Sequence, residues 1–416
     1  MEPEAASEVG RAKTVVVIGA GFSVGADLPL TREILSRAKE ANNPRLNQML
    51  SACELHLRDE ISMIHGRLAD EDIEDLLVKL RPYARPIKPF FLQSLQQDID
   101  RPGRRYQDLS SSDRHEHRSW YTLDAYWTLL CIYFAMVSGP YEPHPWLDEV
   151  DEALPWDAEM PLVFREFFAS LPPQTTILTT NYDEIIERGL LSAQRGWAYG
   201  GDIAGIPDFV ADAGFKPGLG SYYLRGSTYE KWAGKLIWAR CDWRPPFLQS
   251  AEAEVVLCRL HGSFRWIQCR NCAKTYAVDW WAAHPVGDFM GCWMPVDNDL
   301  TFRCWDKECS FVPMSVILVP GQKDRFAMEN LALHAQLLAS WKAVRACDRL
   351  IVIGSALRGA DSRLVRMVRA AARRAGKVEV VNPSETAVSQ LKDLTGRPIE
   401  WVKSLGEWLT KARAGQ

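Results

Sequence analysis

The stretch TVVVIGAGFSVGADLPLTREIL, residues 14–35, decides how this chain folds. Thr14 to Ile18 is a continuously apolar, β-branched run of the kind that forms a strand buried on both faces. It empties into Gly19-Ala20-Gly21, and a polar loop with Pro29 then gives way to a helical pattern from Arg32. A strand, a glycine turn and a helix in that order make a nucleotide-binding unit in which backbone N–H groups approach a pyrophosphate. Val24 stands where G-x-G-x-x-G carries its third glycine, so a tight turn that binds nothing is the alternative these residues leave open.

Working outward, further short apolar runs predict strands at Thr175 to Leu178, Val255 to Leu260, Ser315 to Val319, Leu350 to Ile353 and Val378 to Val381. Helical periodicity predicts helices over Arg32 to Asn42, Tyr182 to Ala193, Glu329 to Ala346, Ser362 to Ala375 and Thr386 to Leu394. Such alternation predicts an α/β fold with a Rossmann-like, doubly wound parallel sheet and a ligand at the carboxyl ends of its strands. Two segments interrupt it. No good strand occurs from about Asn43 to Asp157, where ADEDIEDLLVKL and TLDAYWTLLCIYFAMV read as helices and DLSSSDRHEHRS as a polar loop. The second, Phe264 to Pro313, holds most of the clustered cysteines. The expected organisation is a first βα unit (1–42), a helical insertion (43–160), the sheet domain continued (161–263), a cysteine module (264–314) and the C-terminal part of the sheet domain (315–416).

Of the 416 residues 47% are hydrophobic and 25% charged, as in an ordinary folded protein. A formal net charge of -4 supplies no global attraction to nucleic acid or anionic membranes, and direct nucleic-acid contact is not expected. No apolar run reaches membrane-spanning length, and MEPEAASEVGRAK lacks the apolar core of a secretion signal, so a cytoplasmic location is expected. Ten cysteines are too sparse for a disulfide scaffold, which makes metal the first reading where they cluster. Many of the sixteen tryptophans fall between Trp197 and Trp305, which suggests an aromatic-lined cavity or an interface there.

The cluster comprises CRNC, with Cys269 and Cys272, and CWDKEC, with Cys304 and Cys309. Two such knuckles can close a tetrahedral, structural Zn2+ site of four thiolates; buried unliganded cysteines are the alternative. Cys292 and His284 in the intervening loop are spare ligand candidates. Cys53, Cys131, Cys241, Cys258 and Cys347 are isolated and read as core thiols. The basic segment Arg358 to Arg374 reads as a solvated helix face, with an oligomer or nucleic-acid contact as the other possibilities. Asn181 and Asp183 in NYD follow a strand and can cap the next helix, and His261 in LHGSF can be a satisfied strand-end histidine.

Taken in order, GAGFSVGADLPLTR, LTTNYD, RLHGS, VIGSAL and VVNPS resemble the sirtuin superfamily over about two thirds of the chain. The resemblance implies NAD as the nucleotide. It places Gly19, Ala20, Gly21, Ser23 and Arg32 at the phosphates, Asn181 and Asp183 at the nicotinamide and its ribose, His261 facing that ribose, and Gly354, Ser355 and Asn382 at the adenosine end. It also implies that the cysteine module is a zinc ribbon. Cleaving the nicotinamide–ribose bond develops oxocarbenium character, and a histidine is the side chain suited to taking a proton near neutrality.

Departures from the protein-deacylating members are Pro29-Leu30-Thr31-Arg32 in place of Pro-Asp-Phe-Arg, TTNYD in place of TQNID, and ILVPGQKD where a Phe-Gly-Glu strand is usual. With the helical insertion they resemble bacterial sirtuin-like proteins of antiviral defence that hydrolyse NAD. The expectation is an NAD glycohydrolase, as the toxic effector of a defence system, silent at rest and controlled by self-assembly into a homo-oligomer or by a regulatory partner protein. The alternatives are a protein deacylase or ADP-ribosyltransferase and, in another class, a non-catalytic NAD or ADP-ribose sensor.

Overall fold

The computed structural model describes residues 13–26, 28–40, 44–60, 62–80, 160–183, 185–201, 203, 253–269, 275–277, 313–317, 331–357 and 362–414, together with Ala125, Leu129, Ile132 and Tyr133. In chain order β1 (Thr14–Ile18) leads into a one-turn helix α1 (Ala20–Ser23), then α2 (Ile34–Glu40), α3 (Pro44–Leu55) with a π-helical extension to Glu60, and α4 (Ile73–Leu80). α5 (Leu162–Ser170) precedes β2 (Thr175–Thr179), α6 (Ile185–Ser192), β3 (Trp197–Tyr199) and β4 (Val255–Arg259). A small sheet follows from β5 (Gly262–Cys269), β6 (Thr275–Ala277) and β7 (Pro313–Ile317). The chain ends with α7 (Leu331–Arg345), β8 (Arg349–Ile353), α8 (Ser362–Arg374), β9 (Lys377–Val381), α9 (Glu385–Thr395), β10 (Glu400–Val402) and α10 (Leu405–Ala414).

Among the described residues the main sheet runs β10-β9-β8-β1-β2-β4-β3, with every pairing parallel. All five residues of β1 are buried, because parallel strands are covered by helices on both faces. The chain leaves β1 toward β2 and β4 and returns on its other side as β8, which makes the β1/β8 boundary a topological switch point. Register aligns the last residues of four neighbouring strands, Ile353, Ile18, Thr179 and Arg259, in one row. The loops that leave this row therefore meet at one end of the sheet.

The described residues form two hydrophobic cores. The larger surrounds the sheet; in it Phe22 packs edge-on to Phe164 at 4.7 Å between centroids, and Phe167 meets Trp408 edge-on at 5.6 Å. The smaller gathers α2, α3 and α4 with Ala125, Leu129, Ile132 and Tyr133, whose buried side chains recur at helical spacing. It also takes in Tyr182, from the loop after β2. α2, assigned from sequence to the first βα unit, thus shares its apolar face with the helices of the following segment.

Most of the predicted elements occur, with corrections. The run predicted at Ser315 to Val319 is β7, Pro313–Ile317, and it pairs antiparallel with β5 in the small sheet rather than joining the parallel one. A short apolar run specifies a strand but not its partner. β3 and β10 have three residues each, too few for a periodic signal, and α5 and α10 were not anticipated.

Candidate functional site

The glycine turn after β1 and the turn after β8 interlock back to back. Gly19 donates its N–H to the Ile353 carbonyl at 2.9 Å, and Gly21 donates to Gly354 O at 2.8 Å. A Cβ on Gly19 would lie 2.7 Å from Ser355 Cα, and one on Gly21 would lie 2.8 Å from Gly354 O. Gly354 itself sits at φ +59°, with Gly21 C 2.5 Å from where its Cβ would be. These glycines pack backbone against backbone. They are small so that two backbones can approach, and their donors are used between the turns; Ala20 and Gly21 are exposed on the outer side.

Beside this turn Ser23 is buried and donates its hydroxyl to Asp183 Oδ2 at 2.6 Å, while Asn181 Nδ2 donates to Ser23 Oγ at 3.1 Å. Asp183 Oδ1 accepts from Ile185 N at 3.2 Å, an Asx turn that starts α6. The capping alternative therefore holds for one oxygen of Asp183 while the other faces Ser23. Burial lifts the Asp183 carboxyl above its ordinary value, against the lowering pulls of Ser23 and Arg259. The Asn181 N–H goes to Thr179 Oγ1 at 3.0 Å, Thr179 Oγ1 in turn donates to Ile18 O at 3.0 Å, and the Asn181 amide nitrogen turns to Ser23.

His261 occupies the turn between β4 and β5, where Gly262 at φ +77° reverses the chain. It is half-buried, and its Nδ1 lies 3.5 Å from the Tyr182 hydroxyl. Tyr182 stacks edge-on against Tyr133 at 5.6 Å, and the Tyr133 hydroxyl donates to Glu74 Oε1 at 3.1 Å. Burial, reinforced by Glu74, pushes the Tyr133 phenol well above its ordinary value and keeps it a donor. A chain of aromatic groups thus runs from the helical core to His261.

At the other side of β1, Gly354 N donates to Val381 O at 3.0 Å, and Ser355 Oγ accepts from Leu357 N at 3.3 Å. Asn382 Nδ2 donates to Ser355 O at 3.3 Å and Asn382 Oδ1 accepts from Ser384 N at 2.9 Å, so its amide ties the β8 and β9 loops together. Leu357 adopts φ +44°, a left-handed backbone unusual for leucine, within this loop. Arg32 stands apart, with 67% of its side chain exposed and Glu33 at 3.9 Å.

Sequence reasoning passed over Arg259, though it lies in the RLHGS motif itself. Its side chain is 0% exposed. Nε donates to Glu187 Oε1 at 2.6 Å, NH1 to the Asn181 carbonyl at 2.7 Å, and NH2 to both Asp183 O and Glu187 Oε2. Tyr199 also donates to Glu187 Oε1, at 3.0 Å. Burial opposes the guanidinium charge, but Glu187, Tyr199 and Asp183 outweigh it and hold Arg259 protonated above its ordinary value. The signal was a charge inside an otherwise apolar run, VVLCRL.

Of the cysteine cluster, Cys269 is the last residue of β5 and pairs in register with Pro313, the first of β7. Cys272, Cys304, Cys309, Cys292 and His284 lie outside the described residues, as do Cys131, Cys241, DLSSSDRHEHRS and most of the tryptophan-rich stretch. Cys53, Cys258 and Cys347 are buried and outside any disulfide, and burial pushes Cys258 up to about 12 and Cys347 to about 11. No described helix is long and apolar enough to cross a membrane.

No family model matches the chain, and no characterised protein matches it in sequence. Among solved structures it is similar to a Sir2 homolog in complex with NAD, at 14% identity over 97% of this chain and 90% of that chain, with a TM-score of 0.38. It is also similar to a structure described under the mechanism and regulation of Sir2 enzymes, at 13% identity over 96% and 91%, with a TM-score of 0.34.

Proposed function

We propose that this chain is a sirtuin-like enzyme that consumes NAD, splitting the nicotinamide–ribose bond with water as a glycohydrolase. The observation that carries this reading is the convergence at one end of the sheet: Ser23, Asn181 and Asp183 form one hydrogen-bonded cluster, and His261 joins it through Tyr182. An amide, a buried carboxyl and a half-buried histidine beside the switch point of a doubly wound sheet suit N-glycosidic cleavage.

In this scheme Asn181 exchanges Ser23 for the attacking water. The water oxygen bonds to C1′ as the C1′–N bond breaks, and the bonding pair leaves on nicotinamide. The water proton passes to His261, and the products are nicotinamide, ADP-ribose and one proton. The exposed outer side of Ala20 and Gly21 would take the phosphates, and the Ser355 and Asn382 loops the adenosine end.

Structural zinc on Cys269, Cys272, Cys304 and Cys309 belongs to the same proposal. The β5–β7 pairing puts Cys269 opposite Pro313, which follows closely on Cys309 in sequence, so the topology suits two knuckles meeting at one end of the small sheet. Bound there, zinc would fold the module and take no part in the reaction. Because free NAD hydrolysis poisons a cell, the proposal includes a silent cytoplasmic resting state released by self-assembly or a partner, as a defence effector requires.

The test is nicotinamide release from NAD, with and without an acetyl-lysine peptide, beside His261→Ala. Release without peptide that falls by about 100-fold or more in the variant is expected for loss of a general base. Release only with peptide would make the protein a deacylase. NAD binding with no release, in the self-assembled protein as well as in the monomer, would make it a sensor.

A further inference from the structure

Arg259 grips both carbonyls that flank Tyr182, and it does so from the strand that delivers His261. We infer that Arg259 is a positioning residue that keeps Asn181 and Asp183 in register with His261, an inference that rests on the bond-cleaving function proposed above. Thr179 and Arg259 are register partners, and the Leu260 N–H bonds Thr179 O at 2.8 Å, so the ends of β2 and β4 are fastened together before the two loops diverge. Beyond that point the guanidinium fork ties them, with the Tyr182 hydroxyl against His261 as a second contact.

Four hydrogen bonds engage all three nitrogens of the group. One edge meets the Glu187 carboxylate in a two-pronged pair, and the remaining N–H groups reach the Asn181 and Asp183 carbonyls. Residues 181–183 are thereby held on three sides: their carbonyls by Arg259, the side chains of Asn181 and Asp183 by Ser23, and the Tyr182 hydroxyl against His261. The two carbonyls satisfy donors that Glu187 leaves over, so the buried group that neutralises Glu187 also fixes the loop. A lysine ammonium keeps the charge but is a compact point donor and cannot span a carboxylate and two carbonyls in one plane. Reacting groups displaced by about 1 Å lose on the order of 100-fold in rate.

Two variants test this. Arg259→Lys keeps the charge, and Arg259→Met with Glu187→Gln removes the buried pair while leaving an acceptor for Tyr199, so at least one is expected to fold. In the folded variant kcat for nicotinamide release should fall by about 100-fold while KM for NAD stays within about threefold, the split that marks loss of transition-state geometry rather than of binding. Hydrogen exchange should rise at least about tenfold in the peptide covering residues 180–186, with β1 and β8 unchanged. A kcat within about twofold of the parent in Arg259→Lys, or a loss that matches only the reduced fraction of NAD-binding protein, would overturn the inference. If the parent binds NAD but releases no nicotinamide, the proposed reaction fails and exchange alone decides: faster exchange confined to 180–186 supports the positioning role, and unchanged exchange overturns it.

Discussion

Gly354 and Gly396 share a left-handed backbone, φ +59° and +61°, but differ in what surrounds them. An alanine Cβ at Gly396 meets nothing within 4 Å, so Gly396→Ala carries only the conformational penalty of a side chain at positive φ, about 1–2 kcal/mol. At Gly354 the same Cβ would sit 2.5 Å from Gly21 C and overlap Phe22 N, both backbone atoms that cannot rotate aside. Overpacking of this kind adds about 1–3 kcal/mol, for a total near 2–5 kcal/mol. Because the displaced atoms belong to the β1 turn, Gly354→Ala should also disturb the Gly21 to Gly354 hydrogen bond and the placement of Ser23. Urea unfolding of both variants measures the difference directly, and NAD titration reads the site. Equal destabilisation of the two would refute the interlocked-turn argument, as would a Gly354→Ala protein that binds NAD like the parent.

Asp183 is a buried carboxyl whose folded pKa lies above its unfolded value, so its own contribution to stability should be complete at low pH and decline as pH rises from about 4 through the raised folded value. Asp183→Asn should flatten that part of the stability–pH curve in urea titrations at several pH values, and a slope that persists would show that another group carries it. Glu187→Ala should cost about 3–5 kcal/mol in urea unfolding by leaving Arg259 charged and buried without its carboxylate, far more than a helix-surface Glu→Ala change such as at Glu385.

Much of the sheet was legible because parallel strands are made of local runs. The apolar stretch at Thr14 to Ile18 allows little else once Gly19 ends it, and β8 and β9 follow the same rule. The small sheet was less legible: β7 looks like a core strand by composition, and its antiparallel partner β5 comes from a segment about fifty residues earlier. The candidate site was legible as residue types in an order. Asn181, Asp183 and His261 stand out because polar groups directly after apolar strands land at the carboxyl ends of the sheet.

Where each group's hydrogen bonds go was not legible. The sequence by itself determined which segments become strands and helices, since side-chain periodicity and turn chemistry act over a few residues. Only the tertiary structure decided that Gly19 and Gly21 donate inward to the β8 turn, that Ser23 meets an aspartate 160 positions away, that Tyr182 belongs to a helical core, and that Arg259 lies fully buried with its donors shared between Glu187 and two loop carbonyls. The physical reason is that the worth of a donor, an acceptor or a charge depends on its exclusion from water, and in this chain that exclusion is produced by elements brought together from opposite ends of the sequence.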